Sequence, residues 1–312
     1  MLCSTLEEPP LPSGLLRMSA APEQITPVEH AAAEWRCAPC HFHRVQACPT
    51  PLIILLLVGL NYFPVVLFNL DEHAGVGRVL IVVVFHLCLS LMLLSWSYTC
   101  CTDPGTPPQE WQREMAAAVE RGESVNVCRR SGLYKPPRSH FDSVTERLTL
   151  NMDHFCPWVV NTVGFYNRKF FMLFLVYTNL TLLCTIISLA SLAPTMIDWL
   201  QSESATARWF PPLVNLGLYV GALGIDLVLL ICLLGPFMCF HLNMAMRNDT
   251  TIEGRSPAFD VGAARNLRSV FGRERWTWAI PLYLKGPDGD GVHWPKASEK
   301  MPSVATASMS VP

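Results

Sequence analysis

The sequence predicts an all-α polytopic membrane protein, with four transmembrane helices and a small irregular cytosolic domain between helices 2 and 3. Its 312 residues are 51% hydrophobic and only 15% charged, which suits a lipid environment better than a soluble surface. The apolar residues form four runs, each long enough to cross a hydrocarbon layer that takes roughly 20 helical residues. These runs are Leu52 to Leu70, Val79 to Tyr98, Phe170 to Ala193 and Leu213 to Phe240. One such run could be a buried soluble helix or a re-entrant segment, but four in one chain favour membrane helices.

The distribution of Lys and Arg predicts the orientation of these helices. Of 23 such residues, Arg78 alone lies in the loop after the first helix and Arg208 alone in the loop after the third. Since positive residues accumulate on the cytosolic side, both tails and residues 99 to 169 are expected in the cytosol. Cytosolic thiols are kept reduced, so the 12 cysteines are not interpreted as a disulfide framework. We expect no cleaved signal peptide, because residues 1 to 50 lack a basic start followed by an apolar stretch.

The chain divides into five regions. They are a cytosolic, largely disordered N-terminal tail (1–50), transmembrane helices 1 and 2 (51–99), a cytosolic domain (100–169), transmembrane helices 3 and 4 (170–240) and a cytosolic C-terminal region (241–312). The tail is rich in Pro, Ala and Glu without a sustained period, which is typical of disorder. It contains Cys37-x-x-Cys40-His41-x-His43. These are metal-ligand residue types, but one such cluster without a second pair is weak evidence for zinc.

The central loop carries the residues that indicate chemistry. Asp153-His154-x-Cys156 supplies the parts of a nucleophilic thiol: a His to accept the thiol proton and an Asp to fix the His tautomer. Aromatic residues follow, including Trp158 and Tyr166, and such residues are typical of the membrane interface. The pattern therefore predicts an activated thiol that works on an apolar substrate close to the membrane plane.

Several motifs in this order resemble the DHHC family of protein S-acyltransferases, from about residue 50 to residue 295. They are Asp103-Pro104-Gly105, Lys-Pro-Pro-Arg-x-His from Lys135, Asp-His-Phe-Cys-Pro-Trp-Val-x-Asn-x-Val-Gly-x-x-Asn from Asp153, Thr-Thr-x-Glu at Thr250 to Glu253, and Asn266 to Gly272. The resemblance implies a four-helix membrane enzyme that moves a long-chain acyl group, such as palmitoyl, from acyl-CoA to a protein cysteine. It also implies that Cys156 is the nucleophile, His154 its general base and Asp153 the residue that orients His154.

The same resemblance implies supporting residues and partners. Thr250 and Thr251 are expected to approach the active site, and Asn266 to tie the C-terminal region to the helices. Lys135 and Arg138 are the best candidates to bind the CoA phosphates. Long-chain acyl-CoA, the bilayer and membrane-proximal proteins with cytosolic cysteines are the expected partners, whereas no motif indicates nucleic acid. An endomembrane location, in the ER or Golgi, is favoured over the plasma membrane.

The sequence departs from the family where the family binds two zinc ions. Its first site aligns with Cys128, Ser131, Phe141 and Leu148, and its second with Asp142, Thr145, Phe155 and Thr162. A structural zinc takes four Cys or His ligands, so we predict no zinc in this domain. We expect a small apolar core of Phe141, Leu148 and Phe155, with Leu133 and Tyr134, to replace the metals.

Two other classes of function remain to be weighed. The first is a catalytically inactive scaffold or adaptor that kept the fold after losing its zinc ligands. Retention of Asp153, His154 and Cys156 with no metal duty to explain them favours the enzyme. The second is a transporter or channel, for which Asp226 in the fourth helix is the single supporting residue, because transporters place ionisable groups along their helices. Asp226 and His86 are expected to have structural roles.

Overall fold

The computed structural model describes residues 49–69, 75–201 and 212–299. Seven α-helices and four short strands run through these ranges. In chain order they are α1 (Thr50–Asn69), α2 (Val76–Cys101), α3 (Gln109–Glu120), β1 (His140–Asp142), β2 (Arg147–Thr149), β3 (His154–Cys156), β4 (Asn161–Val163), α4 (Arg168–Gln201), α5 (Pro212–Val228), α6 (Gly235–Arg247) and α7 (Ala263–Phe271). The chain is mostly helical, as predicted, although the strands make it other than all-α.

Three helical segments of the described residues are long and apolar enough to cross a membrane: Val76–Cys101, Arg168–Pro194 and Leu216–Arg247. Thr50–Val66 is a shorter apolar helix. The third segment continues beyond the predicted end at Phe240 because nothing interrupts the helix before Asn248. That residue has a φ of 58°, and such a left-handed residue commonly terminates a helix. The polytopic membrane architecture is thereby confirmed, with three segments that meet the length of a span.

The third candidate span contains a π-helical stretch, Leu229–Leu234, between α5 and α6. A Cβ atom on Gly235 would lie 2.2 Å from the Leu230 carbonyl oxygen, so only glycine fits at the end of the π-helical stretch. The Asn179 side chain of α4 donates a hydrogen bond to the Leu234 carbonyl oxygen at 3.2 Å. This side chain satisfies a backbone group where the helical ladder is irregular, as an apolar environment requires.

One hydrophobic cluster joins the membrane helices to the C-terminal region. Val65 of α1, Phe85 of α2 and Met172 of α4 belong to it, together with Ala245 of α6 and Phe271 of α7. The most extensive helix pair is α2 with α4. Because burial of apolar side chains dominates folding, α7 is packed as part of this core, although its sequence also suits a surface helix.

The region between α2 and α4 folds into two antiparallel hairpins. In the first, β1 pairs with β2, which sets Phe141 opposite Leu148. In the second, β3 pairs with β4, which sets Phe155 opposite Thr162 and Cys156 opposite Asn161. Strands of three residues are too short to be stable alone. Contacts from outside must therefore hold each hairpin in place.

Candidate active site

The first strand of the second hairpin brings the three predicted catalytic residues together. His154 Nδ1 lies 2.7 Å from Asp153 Oδ2, and Cys156 lies two residues further along the same strand. Cys156 itself is buried. An imidazole bound to a carboxylate thus lies next to a thiol, which is the arrangement that activates a thiol nucleophile.

The C-terminal region fixes Asp153 in this position. The backbone N–H of Thr251 donates to Asp153 Oδ1 at 2.9 Å, and the Thr251 hydroxyl donates to the Asp153 carbonyl oxygen. Asp153 N–H in turn donates to the Val163 carbonyl oxygen at 2.8 Å. Arg168 lies 3.9 Å from Asp153 Oδ1, too far for a hydrogen bond. Asp153 is therefore held by the Thr-Thr-x-Glu segment on one side and by its own hairpin on the other.

These contacts change the acidity of both groups. Burial raises the pKa of Asp153, but its hydrogen bond to His154 and the charge of Arg168 outweigh this effect and lower the pKa to about 2. Burial likewise lowers the pKa of His154, but the hydrogen bonds with Asp153 and Cys156 prevail and raise it to about 9. The carboxylate is therefore charged at neutral pH, and it stabilises an imidazolium beside Cys156.

His241 of α6 is a second imidazole at the same carboxylate, and sequence reasoning did not single it out. Its Nδ1 lies 3.7 Å from Asp153 Oδ2, and its ring centroid lies 5.6 Å from that of His154. The side chain is fully buried among aromatic rings that include Phe171 and Phe237. A His directly after the fourth apolar run, nine residues before Thr250, was the available signal, because ionisable groups are unusual in membrane helices.

The second hairpin is also anchored to the end of α2. Asn161 Nδ2 donates to the carbonyl oxygens of Thr99 and Thr102, both at 3.0 Å. Trp96 Nε1 donates to the Trp158 carbonyl oxygen at 3.0 Å. The last carbonyls of a helix have no partner within the helix, so Asn161 satisfies them and at the same time fixes the strand opposite Cys156.

A long apolar cavity opens beside the thiol. It has a volume of about 290 Å³, and Cys156, Trp158, Phe171 and Leu182 are among its lining residues. On α4 the lining extends from Phe171 to Leu182, which is about 16 Å along the helix axis. The Phe171 ring lies 5.2 Å from the His154 ring. The cavity therefore begins at the candidate nucleophile and continues between membrane helices, where it suits a hydrocarbon chain.

Arg138 does not occupy the position predicted for a phosphate ligand. Its side chain is fully buried, 2.9 Å from Glu253 Oε2, and it donates to Asn248 Oδ1 at 2.7 Å. The guanidinium also lies over the ring of Trp294, 4.5 Å from its centroid. The prediction that Arg138 binds CoA phosphates is therefore wrong in this geometry, since these protein groups occupy the guanidinium. Lys135 is half-buried and stays a prediction.

The remaining predicted support residues lie in the C-terminal region. Thr250 is fully buried, and its hydroxyl accepts a hydrogen bond from Glu253 N–H at 3.2 Å. Asn266 Nδ2 donates to the Met246 carbonyl oxygen at 2.8 Å, which connects α7 to the end of α6. These contacts order the segment that carries Thr251, and the supporting role of Thr250 and Asn266 stays a prediction.

The aligned positions of the first zinc site offer no set of zinc ligands. Phe141 and Leu148 pair across the first hairpin, and the Arg130 guanidinium lies over the Phe141 ring at 5.6 Å. Hydrogen bonds with Ser131 lower the pKa of the Cys128 thiol, against the opposing effect of its burial. A single thiol beside a hydroxyl and two hydrocarbon side chains does not provide a tetrahedral zinc site.

The second set of positions is held by hydrogen bonds. Asp142 Oδ2 accepts hydrogen bonds from the hydroxyls of Thr145, at 2.8 Å, and Thr162, while Asp142 Oδ1 accepts from Val144 N–H at 2.9 Å. Phe155 lies in the other hairpin, opposite Thr162. The expected single apolar core is therefore wrong, because none of Phe141, Leu148 and Phe155 belongs to a hydrophobic cluster of the described residues.

Across the described residues, no group of three or more His, Cys, Asp or Glu side chains is placed to hold a metal ion. The Cys37 to His43 cluster lies outside these residues. The chain has one carboxylate and two hydroxyls at the second set of aligned positions, which do not fit zinc either.

The family described as DHHC palmitoyltransferase matches residues 122–257, the region that contains this site. The chain is similar to the probable protein S-acyltransferase 12 of Arabidopsis thaliana, with 32% identity over 75% of this chain and 86% of the relative. It is also similar to palmitoyltransferase ZDHHC15A of Danio rerio, with 28% identity over 78% of this chain and 83% of the relative. The human palmitoyltransferase ZDHHC2 is 28% identical over 76% of this chain and 73% of the relative. The chain belongs to the DHHC palmitoyltransferase family.

Proposed function

We propose that this protein is a protein S-acyltransferase that takes a long-chain acyl group, such as palmitoyl, from acyl-CoA onto Cys156. The acyl group then passes to a cysteine of a membrane-associated protein. The observation that carries this proposal is the junction of a hydrogen-bonded Asp153 and His154 pair with Cys156 and an apolar cavity at that thiol. Family membership supports the same activity.

In the first half-reaction, the proton of Cys156 rests on His154 as an imidazolium, and the Cys156 sulfur attacks the thioester carbonyl carbon as a thiolate. A new C–S bond to Cys156 forms, the bond to the CoA sulfur breaks, and the imidazolium returns the proton to the leaving CoA thiolate. Asp153 holds His154 Nδ1, so that the other ring nitrogen faces the thiol and the positive charge is stabilised. The acyl chain lies in the cavity, which positions the carbonyl beside the nucleophile.

In the second half-reaction, His154 accepts the proton of the incoming protein cysteine. The substrate sulfur attacks the acyl group on Cys156, the bond to Cys156 breaks, and Cys156 recovers the proton. Since the chain remains in the membrane cavity, the substrate cysteine must reach the cytosolic membrane surface. We therefore expect membrane-proximal cysteines as acceptors, in agreement with the expected partners.

The topology that suits this chemistry has four spans, with α1 as the first and the α5, π-helical and α6 segments together as the last. Both termini would then be cytosolic, as the Lys and Arg distribution predicts. An ER or Golgi membrane stays our favoured location. Lys135 is the proposed contact for the CoA phosphates.

Acyl transfer to Cys156 is tested with the purified full-length protein and a labelled long-chain acyl-CoA. We expect label on the wild type that hydroxylamine removes, and none on Cys156→Ser. Cys100 packs in the same hydrophobic cluster as Cys156, so Cys100→Ser is a matched control that should keep the label. An unlabelled wild type, or equal label on Cys156→Ser, would instead favour the inactive scaffold, a reading that nothing in the geometry supports.

We infer further that the domain folds without zinc. Hydrogen bonds to Asp142 and the pairing of Phe141 with Leu148 support this inference, since each occupies a set of positions that binds zinc in the family. Metal analysis of protein purified without a tag should find far less than one zinc per chain. A chelator should leave its thermal stability unchanged, and stoichiometric zinc would refute the inference.

A further inference from the structure

The residues after α7 form an irregular segment that packs beside the start of α4. This segment, residues 275–285, begins with a single 3-10 turn, Arg275–Thr277. Lys169 Nζ donates to the carbonyl oxygens of Thr277, at 2.9 Å, and Leu282, at 2.5 Å. The Tyr177 hydroxyl donates to the Ala279 carbonyl oxygen. Two side chains of α4 thus hold three backbone carbonyls of the segment.

These contacts place the segment at the depth of the membrane interface. Arg168 is the first residue of the candidate span Arg168–Pro194, and Tyr177 follows nine residues later, which is about 13 Å along the helix. The headgroup region on each side of the hydrocarbon layer is only on the order of 6 Å thick. Irregular backbone is tolerated at such depth only when its polar groups find partners inside the protein. Lys169 and Tyr177 are those partners.

The segment has an apolar inner side. The Trp278 ring lies 5.6 Å from that of Phe271, and Trp278 packs against the core cluster of the membrane helices. The Tyr283 ring lies 5.2 Å from that of Phe170, and its hydroxyl donates to the Val270 carbonyl oxygen. The segment is therefore a fixed part of the fold.

The outer side is apolar as well, and it is uncovered. The exposed fractions are 66% for Trp276, 41% for Ile280, 36% for Leu282 and 50% for Leu284. Contiguous exposed apolar residues mark an interaction surface, and Trp is enriched where a membrane meets water. Because this surface continues that of a membrane-spanning helix, lipid is the partner that covers it without any further protein.

Basic residues stand at both ends of the segment. Arg275 and Lys285 are exposed, and neither side chain forms a hydrogen bond or ion pair with the part of the chain that the structure describes. Long basic side chains at the ends of an apolar surface extend to the lipid phosphates while their stems stay in the interface. The charge pattern thus fits a bilayer that contains anionic lipid.

We propose that residues 275–285 are inserted into the bilayer leaflet on the active-site side, with Trp276, Ile280, Leu282 and Leu284 among the lipids. Arg275 and Lys285 contact lipid phosphates. The C-terminal region, which the sequence assigned entirely to the cytosol, thereby contributes a membrane-embedded element. The inference rests on the packing against α4 and does not depend on acyl transfer.

Photo-crosslinking of the full-length protein tests this directly. A benzophenone amino acid is placed singly at Ile280, at Leu218 of α5 or at Val144 of the first hairpin, whose exposed fractions are 41%, 41% and 42%. The variants are reconstituted in vesicles of phosphatidylcholine and phosphatidylserine that carry an alkyne-labelled lipid. Leu218 lies in a candidate span, so it is the positive control, and Val144 is the control of equal exposure.

We expect the lipid adduct at Ile280 to approach that at Leu218 and to exceed that at Val144 several-fold. A second probe at Trp276 should behave like Ile280, which guards against one poorly folded variant. An adduct at Ile280 and Trp276 no greater than at Val144 would overturn the proposal. So would a crosslinked dimer in place of the lipid adduct, because it would show that a second copy covers this surface.

Discussion

The two hairpins of the cytosolic domain have the same size and are held in different ways. The first hairpin, residues 140–149, has internal contacts in Phe141 opposite Leu148 and in the hydrogen bonds of Asp142 with its own turn, and an ion pair of Arg147 with Asp103 ties it to the segment after α2. The second hairpin, residues 154–163, is fixed from outside by Thr251 and by the end of α2. Thr162 donates to Asp142 and joins the two.

This difference indicates which contacts fix the positions of His154 and Cys156. The second hairpin carries His154 and Cys156, and its outside contacts come from the membrane helices and the C-terminal region. The positions of these side chains therefore depend on the whole fold. The first hairpin supports the second locally, through the hydrogen bond of Thr162 to Asp142. Changes in the first should alter stability, whereas changes in the second should alter activity as well as stability.

The largest expected effect is on activity and comes from Asp153→Asn. Asp153 binds His154 of the second hairpin and is itself held by Thr251. The amide cannot stabilise an imidazolium at His154 as the carboxylate does. We expect self-acylation to slow by about 1,000-fold, which corresponds to roughly 4 kcal/mol of activation free energy. Rates of label incorporation, corrected for folded protein, measure this. A loss below tenfold with normal folding would show that Asp153 does not act through His154.

The next effect is on stability, from Asp142→Ala at the junction of the hairpins. The substitution leaves two hydroxyls and one N–H without their acceptor. The Thr162 hydroxyl is buried, and a buried group left unsatisfied costs about 1–3 kcal/mol. We expect a loss of about 3 kcal/mol in the free energy of unfolding, measured by denaturation in detergent. Asp142→Asn keeps one acceptor oxygen and should lose less. Equal stability of Asp142→Ala and wild type would contradict the role given to this carboxylate.

A smaller effect concerns pH and returns to the second hairpin. Because the pKa of His154 is raised from 6.5 to about 9 in the folded protein, its charged form stabilises the fold. That contribution is fully present below pH 6.5 and is lost as pH rises through about 9. Since the side chain is 24% exposed, we discount it to about 2 kcal/mol. The thermal stability of the wild type should therefore fall between pH 6.5 and about pH 9, while that of His154→Asn should show no such fall.

The next test is His241→Phe, which removes the imidazole that α6 places beside Asp153. A phenyl ring retains packing against Phe171 and Phe237 but removes the nitrogen that faces Asp153. We expect acylation to slow by about tenfold, which corresponds to roughly 1.4 kcal/mol of activation free energy. The acyl-CoA concentration that gives the half-maximal rate should change little. The pH profile of the rate should also shift, which a purely structural role would not produce. An unchanged rate and profile would remove His241 from the site.

The sequence was sufficient for the polytopic membrane architecture and for the motif that holds Asp153, His154 and Cys156, because long apolar runs and contiguous motifs encode them locally. It was insufficient for contacts between distant segments. Nothing in the Lys-Pro-Pro-Arg segment shows that Arg138 is enclosed by Glu253 and Asn248, which are more than a hundred residues away. The polar cluster at Asp142 was missed for the same reason, since its partner Thr162 lies in the other hairpin. Apolar character at Phe141 and Phe155 suggested one core, whereas strand register separates them.

The smallest expected effect is a gain in stability from Val160→Asn in the turn of the second hairpin. Val160 has a φ of 52°, and a β-branched residue is strained in this left-handed region, whereas Asn tolerates it. We expect a gain of about 1 kcal/mol in the free energy of unfolding. The matched control is Val144→Asn in the first hairpin, which lacks a positive φ and should gain nothing. Unchanged or lower stability of Val160→Asn would mean that contacts of the Val160 side chain compensate for the strain. If the gain in stability is accompanied by slower acylation, strain in this turn contributes to the position of Cys156. Equal activity would show that the outside contacts alone fix the catalytic hairpin.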